Sequence, residues 1–237
     1  MARISLFDDE QRTQSSNPYR DDVVGKLSAG YVNNCRPVSL DEWRFVSDDQ
    51  EVADTVAALY GGESQEITKT KKDGTEIVEY EVFTKAKSLN IIIDSAEAIS
   101  SEFMWWANGE LIGKGDGHKM DDGTADPGAD LDLTERKDKA KKGLVPAPET
   151  TVYFRLADNE DLGVFRYVKS QAWGLERALQ RNGFYDTIDD ATADGLALKA
   201  VITRNPVEFV AKNGPRAGKT VNYTETTIEA KGTVELA

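Results

Sequence analysis

Gln65-Glu66-Ile67-Thr68-Lys69-Thr70-Lys71-Lys72-Asp73-Gly74-Thr75-Glu76-Ile77-Val78-Glu79-Tyr80-Glu81-Val82-Phe83 sets the fold class. Two runs rich in β-branched, aromatic and charged residues flank Asp73-Gly74, a pair that adopts the positive-φ backbone of a tight hairpin turn. Gln65–Lys71 and Thr75–Phe83 are therefore expected as antiparallel strands. The same logic gives a second hairpin, with Glu102–Trp106 and Glu110–Ile112 flanking Asn108-Gly109. Leu89–Ile93 is a short apolar run of buried-strand type.

Working outward, Ser39–Val46 alternates around Trp43 and Phe45, which favours a strand. Ser47–Gln50 carries a helix-capping signature. The helix after it places Val52, Val56, Leu59 and Tyr60 on one stripe and stops at Gly61-Gly62. Downstream, Thr151–Ala157 and Val164–Lys169 read as strands. Ser170 caps a helix with Trp173, Leu175, Ala178 and Leu179 that ends near Asn182-Gly183. Leu196–Arg204, Val207–Lys212 and Thr220–Ala230 complete the strands. The pattern predicts an α+β fold, strand-dominated, with mainly antiparallel sheets, two or three helices and a long acidic Gly/Asp-rich loop. Four segments are expected: an irregular N-terminal arm (1–38), a mixed helix and hairpin region (39–112), an acidic, Pro- and Lys-rich loop or linker (113–149) and a strand-rich C-terminal region (150–237).

The 237 residues include one histidine, His118, and one cysteine, Cys35. A Ser-His-Asp or Cys-His system could be built only on His118. A structural zinc site needs about four Cys or His ligands. No run approaches the roughly 18 apolar residues of a membrane span, and no secretory signal is visible at the N-terminus. A single Cys fits a reducing cytoplasm. The net charge of -13 opposes binding to nucleic acid phosphates. Arg136–Lys142 and Lys69, Lys71 and Lys72 are local basic runs, read as solvated faces. A protein partner with basic surface fits this balance better.

Gly214-Pro215-Arg216-Ala217-Gly218-Lys219-Thr220 has the look of a phosphate-binding loop, but only three residues separate its glycines. Val221-Asn222-Tyr223-Thr224 after it alternates like a strand, whereas phosphate binding needs a helix there. A hairpin turn is expected. Leu89–Asp94 resembles the apolar strand and Asp of a nucleotide triphosphatase, but precedes the loop in chain order, so that activity is rejected. Asp116, Asp121, Asp122, Asp126, Asp130 and Asp132 could offer carboxylates to a cation, yet lack EF-hand spacing and read as a flexible acidic loop. No catalytic, cofactor-binding or metal-ligating residues are assigned. Phe103-Met104-Trp105-Trp106 is the densest apolar cluster, and adjacent tryptophans on a strand point to opposite faces. Trp105 or Trp106, together with Phe7, Tyr19 and Arg20 of the polar arm, are the candidate partner-binding residues, because aromatic and Arg groups anchor interfaces. Tyr153, Phe154, Phe165, Tyr167 and Trp173, with Arg155, Arg166 and Lys169, could instead form a base-stacking platform.

Several stretches resemble the phage recombination directionality factors that work with large serine integrases, of the actinophage type. They are Ile4-Ser5-Leu6-Phe7-Asp8-Asp9-Glu10, Ser16-Asn17-Pro18-Tyr19-Arg20-Asp21-Asp22-Val23-Val24-Gly25, and Asn34-Cys35-Arg36-Pro37-Val38-Ser39-Leu40-Asp41-Glu42-Trp43-Arg44. Val152-Tyr153-Phe154-Arg155-Leu156-Ala157, Leu162-Gly163-Val164-Phe165-Arg166, and Val207-Glu208-Phe209 with Val221-Asn222-Tyr223-Thr224 are similar too. The resemblance implies a regulator in the host cytoplasm that binds a phage serine integrase near its coiled-coil and zinc-ribbon region. It touches DNA only through the integrase, and has no membrane partner. It would switch the integrase from attP × attB integration to attL × attR excision, without bond chemistry or cofactor. Two other classes stand beside it: a phage single-stranded DNA-binding or replication accessory protein, and a metal-dependent hydrolase centred on the aspartate loop, which loss of a divalent-ion stabilisation on replacing Asp121 and Asp122 would favour.

Overall fold

The computed structural model describes residues 18–34, 36–71, 73–212 and 217–235. The chain enters through a 3-10 turn, Arg20–Asp22, and then forms β1 (Val23–Asn33) and β2 (Arg36–Ser47), an antiparallel pair. Asp49 caps α1 (Gln50–Tyr60) by accepting from the Glu51 backbone N–H at 2.8 Å, and Val52, Ala53 and Val56 face inward. β3 (Ser64–Thr70) and β4 (Glu76–Phe83) follow, then β5 (Ser88–Ile93), β6 (Ile99–Ala107) and β7 (Glu110–Gly115). α2 (Leu133–Lys141) leads to β8 (Ala147–Leu156) and β9 (Val164–Ser170). α3 (Trp173–Arg181) and α4 (Phe184–Ala193) precede the long hairpin of β10 (Leu196–Val210) and β11 (Thr220–Glu235).

One eleven-stranded sheet contains all of them, in the order β11-β10-β5-β8-β9-β1-β2-β4-β3, with β6 joining β8 and β7 pairing with β6. β5 and β6 share β8 as a partner: β6 pairs with Ala147–Val152 and β5 with Arg155 and Leu156. Every pairing is antiparallel except β1 with β9. The sheet curls back on itself. Arg204 on β10 donates from Nη2 to the Leu40 carbonyl on β2 at 2.7 Å, although β5, β8, β9 and β1 lie between those strands in the order. The interior of the curl holds Trp43, Phe45, Ile91, Phe154, Phe165 and Ile202. α1 packs on β2, β3 and β4, whereas α3 and α4 lie against β8, β10 and β11. A second, smaller core joins Phe103, Ala140, Val145, Ala147 and Trp173.

The strand-dominated α+β reading holds, with four α-helices among the described residues rather than two or three. Three local expectations are corrected. Residues 23–33, expected within an irregular arm, form a strand inside the sheet. Gly25 allows this, since a Cβ there would sit 2.8 Å from the Phe165 ring on the neighbouring strand. Residues 113–149, expected as a long loop or linker, include the end of β7, all of α2, the start of β8 and a hydrogen-bonded set of turns between β7 and α2. Its cross-links include Asp121 N–H to the Lys114 carbonyl at 2.8 Å and Asp126 N–H to the His118 carbonyl at 2.9 Å. Val207–Lys212 is not a separate strand, because β10 runs unbroken from Leu196 to Val210 through Asn205-Pro206.

Candidate partner interface

The Asn108-Gly109 turn forms as the sequence predicts, with φ values of 53° and 79°. It sets Trp106 directly opposite Leu111. A bulge between Trp105 and Trp106 leaves Ile112 as the extra residue of β7. Trp105 is half-buried, and its indole Nε1 donates to the Gly143 carbonyl at 2.9 Å. That bond draws the turn after α2 against β6: a Cβ on Gly143 would lie 3.0 Å from the Trp106 carbonyl. Leu144 is the next residue.

The outcome is an apolar surface in a protein that is otherwise heavily charged. Trp106 is 47% exposed, Leu111 45%, Ile112 53% and Leu144 56%. Beside them Met104, Trp106, Ala140, Val145 and Pro148 line a shallow recess of about 40 Å³. An indole edge, three branched side chains and a small recess with a partly apolar lining are what a partner's apolar side chain can use.

The remaining predicted residues fall elsewhere. Tyr19 docks on its own protein: its ring stacks on Tyr153 at 6.0 Å and its hydroxyl lies 3.1 Å from Ser95 Oγ. Arg20 is exposed next to it. Phe7 lies outside the described residues. Tyr153 and Ala147, the latter paired with Met104, sit six residues apart on β8, roughly 20 Å along a strand. So the structure separates Tyr19 and Arg20 from the two tryptophans. Leu111, Ile112 and Leu144 were missed in the sequence. The signal for the first was available, because a two-residue hairpin closing at Asn108-Gly109 fixes Leu111 across from Trp106.

The acidic loop uses its carboxylates to hold backbone. Asp116 accepts from the His118 and Lys119 N–H groups, each at 2.8 Å. Burial alone would raise the Asp116 carboxyl, but those N–H groups and His118 outweigh it and hold it below the usual range. Asp122 is lowered by the Thr124 hydroxyl and N–H. Asp132 caps α2 through the Thr134 and Glu135 N–H groups. Among the described residues no three of His, Cys, Asp and Glu converge on a cation position. The proposed stacking platform does not form, since Tyr153, Phe154, Phe165, Tyr167 and Trp173 are all buried. At the phosphate-loop-like segment the residues after Gly218 enter β11, as expected for a hairpin turn. Among the described residues no helix is long and apolar enough to cross a membrane.

A family model described as Gp3-like, recombination directionality factor-like, matches residues 24–201. That span runs from the start of β1 into β10 and includes the Trp106 surface. No solved structure matches the chain.

Proposed function

Because the chain belongs to the Gp3-like, recombination directionality factor-like family, we propose that it binds a phage large serine integrase and switches it from attP × attB integration to attL × attR excision. The observation that carries this reading is the family match across the β1–β10 body. The exposed Trp106, Leu111, Ile112 and Leu144 surface supports it by offering a docking face.

A regulator of this kind acts through differential binding. It must hold the excision-competent arrangement of the integrase more tightly than the integration-competent one. Moving such an equilibrium from 1:99 to 99:1 takes about 10⁴-fold selectivity, or roughly 5.5 kcal/mol. A central Trp in an apolar patch can supply a few kcal/mol of that. The net charge of -13 favours encounter with a basic DNA-binding enzyme and keeps the free protein off DNA. The coiled-coil and zinc-ribbon region of the integrase is the proposed contact, strand cleavage remains with the integrase, and the host cytoplasm is where they meet.

The test is recombination in vitro with the serine integrase of the same phage genome and supercoiled attL/attR and attP/attB substrates. Addition of this protein should switch on attL × attR and suppress attP × attB. An active integrase whose two reactions are unchanged by the folded protein overturns the reading.

A further inference from the structure

On the outer face of the sheet, at the crossing of β1, β2 and β9, the structure has a cleft of about 260 Å³. Val23, Val24 and Val46 give it apolar surface, while Arg20, Lys26 and Arg166 bring three cations to it. Lys26 and Arg166 are directly opposite each other across β1 and β9, an arrangement in which like charges repel. Several other cations on the sheet are paired: Arg44 with Glu81, Lys69 with Glu79, and Arg155 with Asp94 and Glu160. Among the described residues Arg20, Lys26 and Arg166 have no carboxylate within ion-pair distance. Excess carboxylates are plentiful in a chain of charge -13, so three unpaired cations gathered in one concavity stand out.

We propose that this cleft binds an acidic peptide segment of a partner protein, with a carboxylate seated between Lys26 and Arg166 and an adjoining apolar side chain on the valines. Two carboxylates also border the cleft, Asp48 and Glu79. Glu79 is neutralised by Lys69, and Asp48 leaves a surplus of cations. Asp21 and Asp22 follow Arg20 but do not line the cleft. A peptide carboxylate suits this mixture better than a nucleic acid, whose run of phosphates would meet Asp48 and the negative field of the whole protein. The floor is firm, because Ser47 Oγ donates to the Val24 carbonyl at 2.6 Å and accepts from Asp49 N–H at 3.0 Å. The site lies toward the other end of β8 from the Trp106 surface and does not depend on which recombinase the protein serves.

The experiment titrates the full-length ¹⁵N-labelled protein with a capped peptide, acetyl-Gly-Leu-Glu-Glu-Leu-Gly-amide. The same peptide with Gln for Glu, inorganic phosphate and a short DNA duplex are run in parallel. The acidic peptide should move the Val24, Lys26, Val46 and Arg166 amide signals saturably, and the Gln peptide should not. Arg166→Gln should weaken the binding at least about tenfold, as expected for the loss of a charge-assisted bond. Lys26→Glu should abolish peptide binding and raise Tm, because it gives Arg166 a partner within the chain. A merely structural Lys26 would instead lose Tm on that change. Absence of saturable shifts at these residues, or saturation by phosphate or duplex in preference to the peptide, overturns the proposal.

Discussion

Arg136 and Asp126 meet inside the protein with a 2.5 Å bond between Nη2 and Oδ2, and both side chains are almost wholly buried. Arg136 Nη1 also donates to the Gly117 carbonyl at 3.0 Å, and the guanidinium lies 4.1 Å from the Phe103 ring centroid. One side chain of α2 therefore ties two separate points of the acidic loop, Gly117 and Asp126, to the smaller core. Asp126→Ala would strand a buried guanidinium, and a loss of about 3–5 kcal/mol is expected. The double variant Asp126→Ala with Arg136→Met should recover much of that, since buried ion pairs are often replaceable by apolar groups. Urea unfolding of the three proteins checks the order: wild type, double variant, then single variant.

The loop should also respond to acid, with two signs. Asp116 sits below the usual carboxylate range when folded. Its contribution is then fully present above the unfolded value of about 4 and lost as pH falls through the folded one. Asp126 is raised by burial, against the pull of Arg136, so its contribution rises as pH falls toward the unfolded value. Asp116→Asn should accordingly be less stable than wild type at neutral pH, and the gap should narrow as pH falls below the unfolded value of about 4. Asp126→Asn should show the opposite trend, its deficit smallest at neutral pH and growing as pH falls toward the unfolded value of about 4. Urea midpoints across that range measure both.

The hairpins and α1 were legible because their signals are local. Asn108-Gly109 and the start of α1 need only their neighbours in the chain, although the capping residue is Asp49 and not Ser47, with which the predicted signature began. Asp73-Gly74 was legible as a turn but not in length: the strands end at Thr70 and Glu76, and Gly74 alone of the pair takes the left-handed conformation, with φ of 85°. β1 was not legible, because its reasons lie far away. Its glycine-containing sequence pairs with Phe165 and Arg166 on β9, and Gly25 leaves room for the Phe165 ring. α4 begins at the left-handed Gly183 and carries three Asp and two Thr over ten residues, a composition that propensity alone does not favour. Burial of Phe184, Tyr185 and Ile188 holds it in place. The tryptophan cluster was found, but only tertiary structure decides which indole is committed to the fold.

That division yields a paired prediction. Trp105 has its N–H bonded to Gly143 and its ring half-buried, whereas the Trp106 ring is 47% exposed. Trp105→Ala should destabilise the protein by about 1–3 kcal/mol, through the lost packing and an unpaired carbonyl. Trp106→Ala should leave Tm within about 2 °C. If the proposed docking is right, Trp106→Ala weakens integrase binding by about 2 kcal/mol or more and raises the concentration needed for attL × attR recombination. Thermal unfolding and the recombination assay separate the two residues.

Arg204 supplies the test of the curl. It is buried, donates to the Leu40 carbonyl and to Thr226 Oγ1 at 2.9 Å, and lies 5.7 Å from the Trp43 ring centroid. Thr226 in turn accepts from the Tyr167 hydroxyl at 2.8 Å. One cation thus joins the β10–β11 hairpin to β9 and β2, which the strand ladder alone does not bring next to it. Arg204→Met keeps the length of the side chain but leaves the Leu40 carbonyl without its donor, and about 2–4 kcal/mol should be lost. Arg204→Lys should restore only part, because a single ammonium cannot reproduce the fork that reaches Leu40 and Thr226 together. Amide exchange distinguishes closure of the curl from general stability. In Arg204→Met the protection of the β10–β11 hairpin near Asn205 and Thr224 should fall before that of β8 and β9, and a uniform fall across all strands would mean that Arg204 contributes only to the common core.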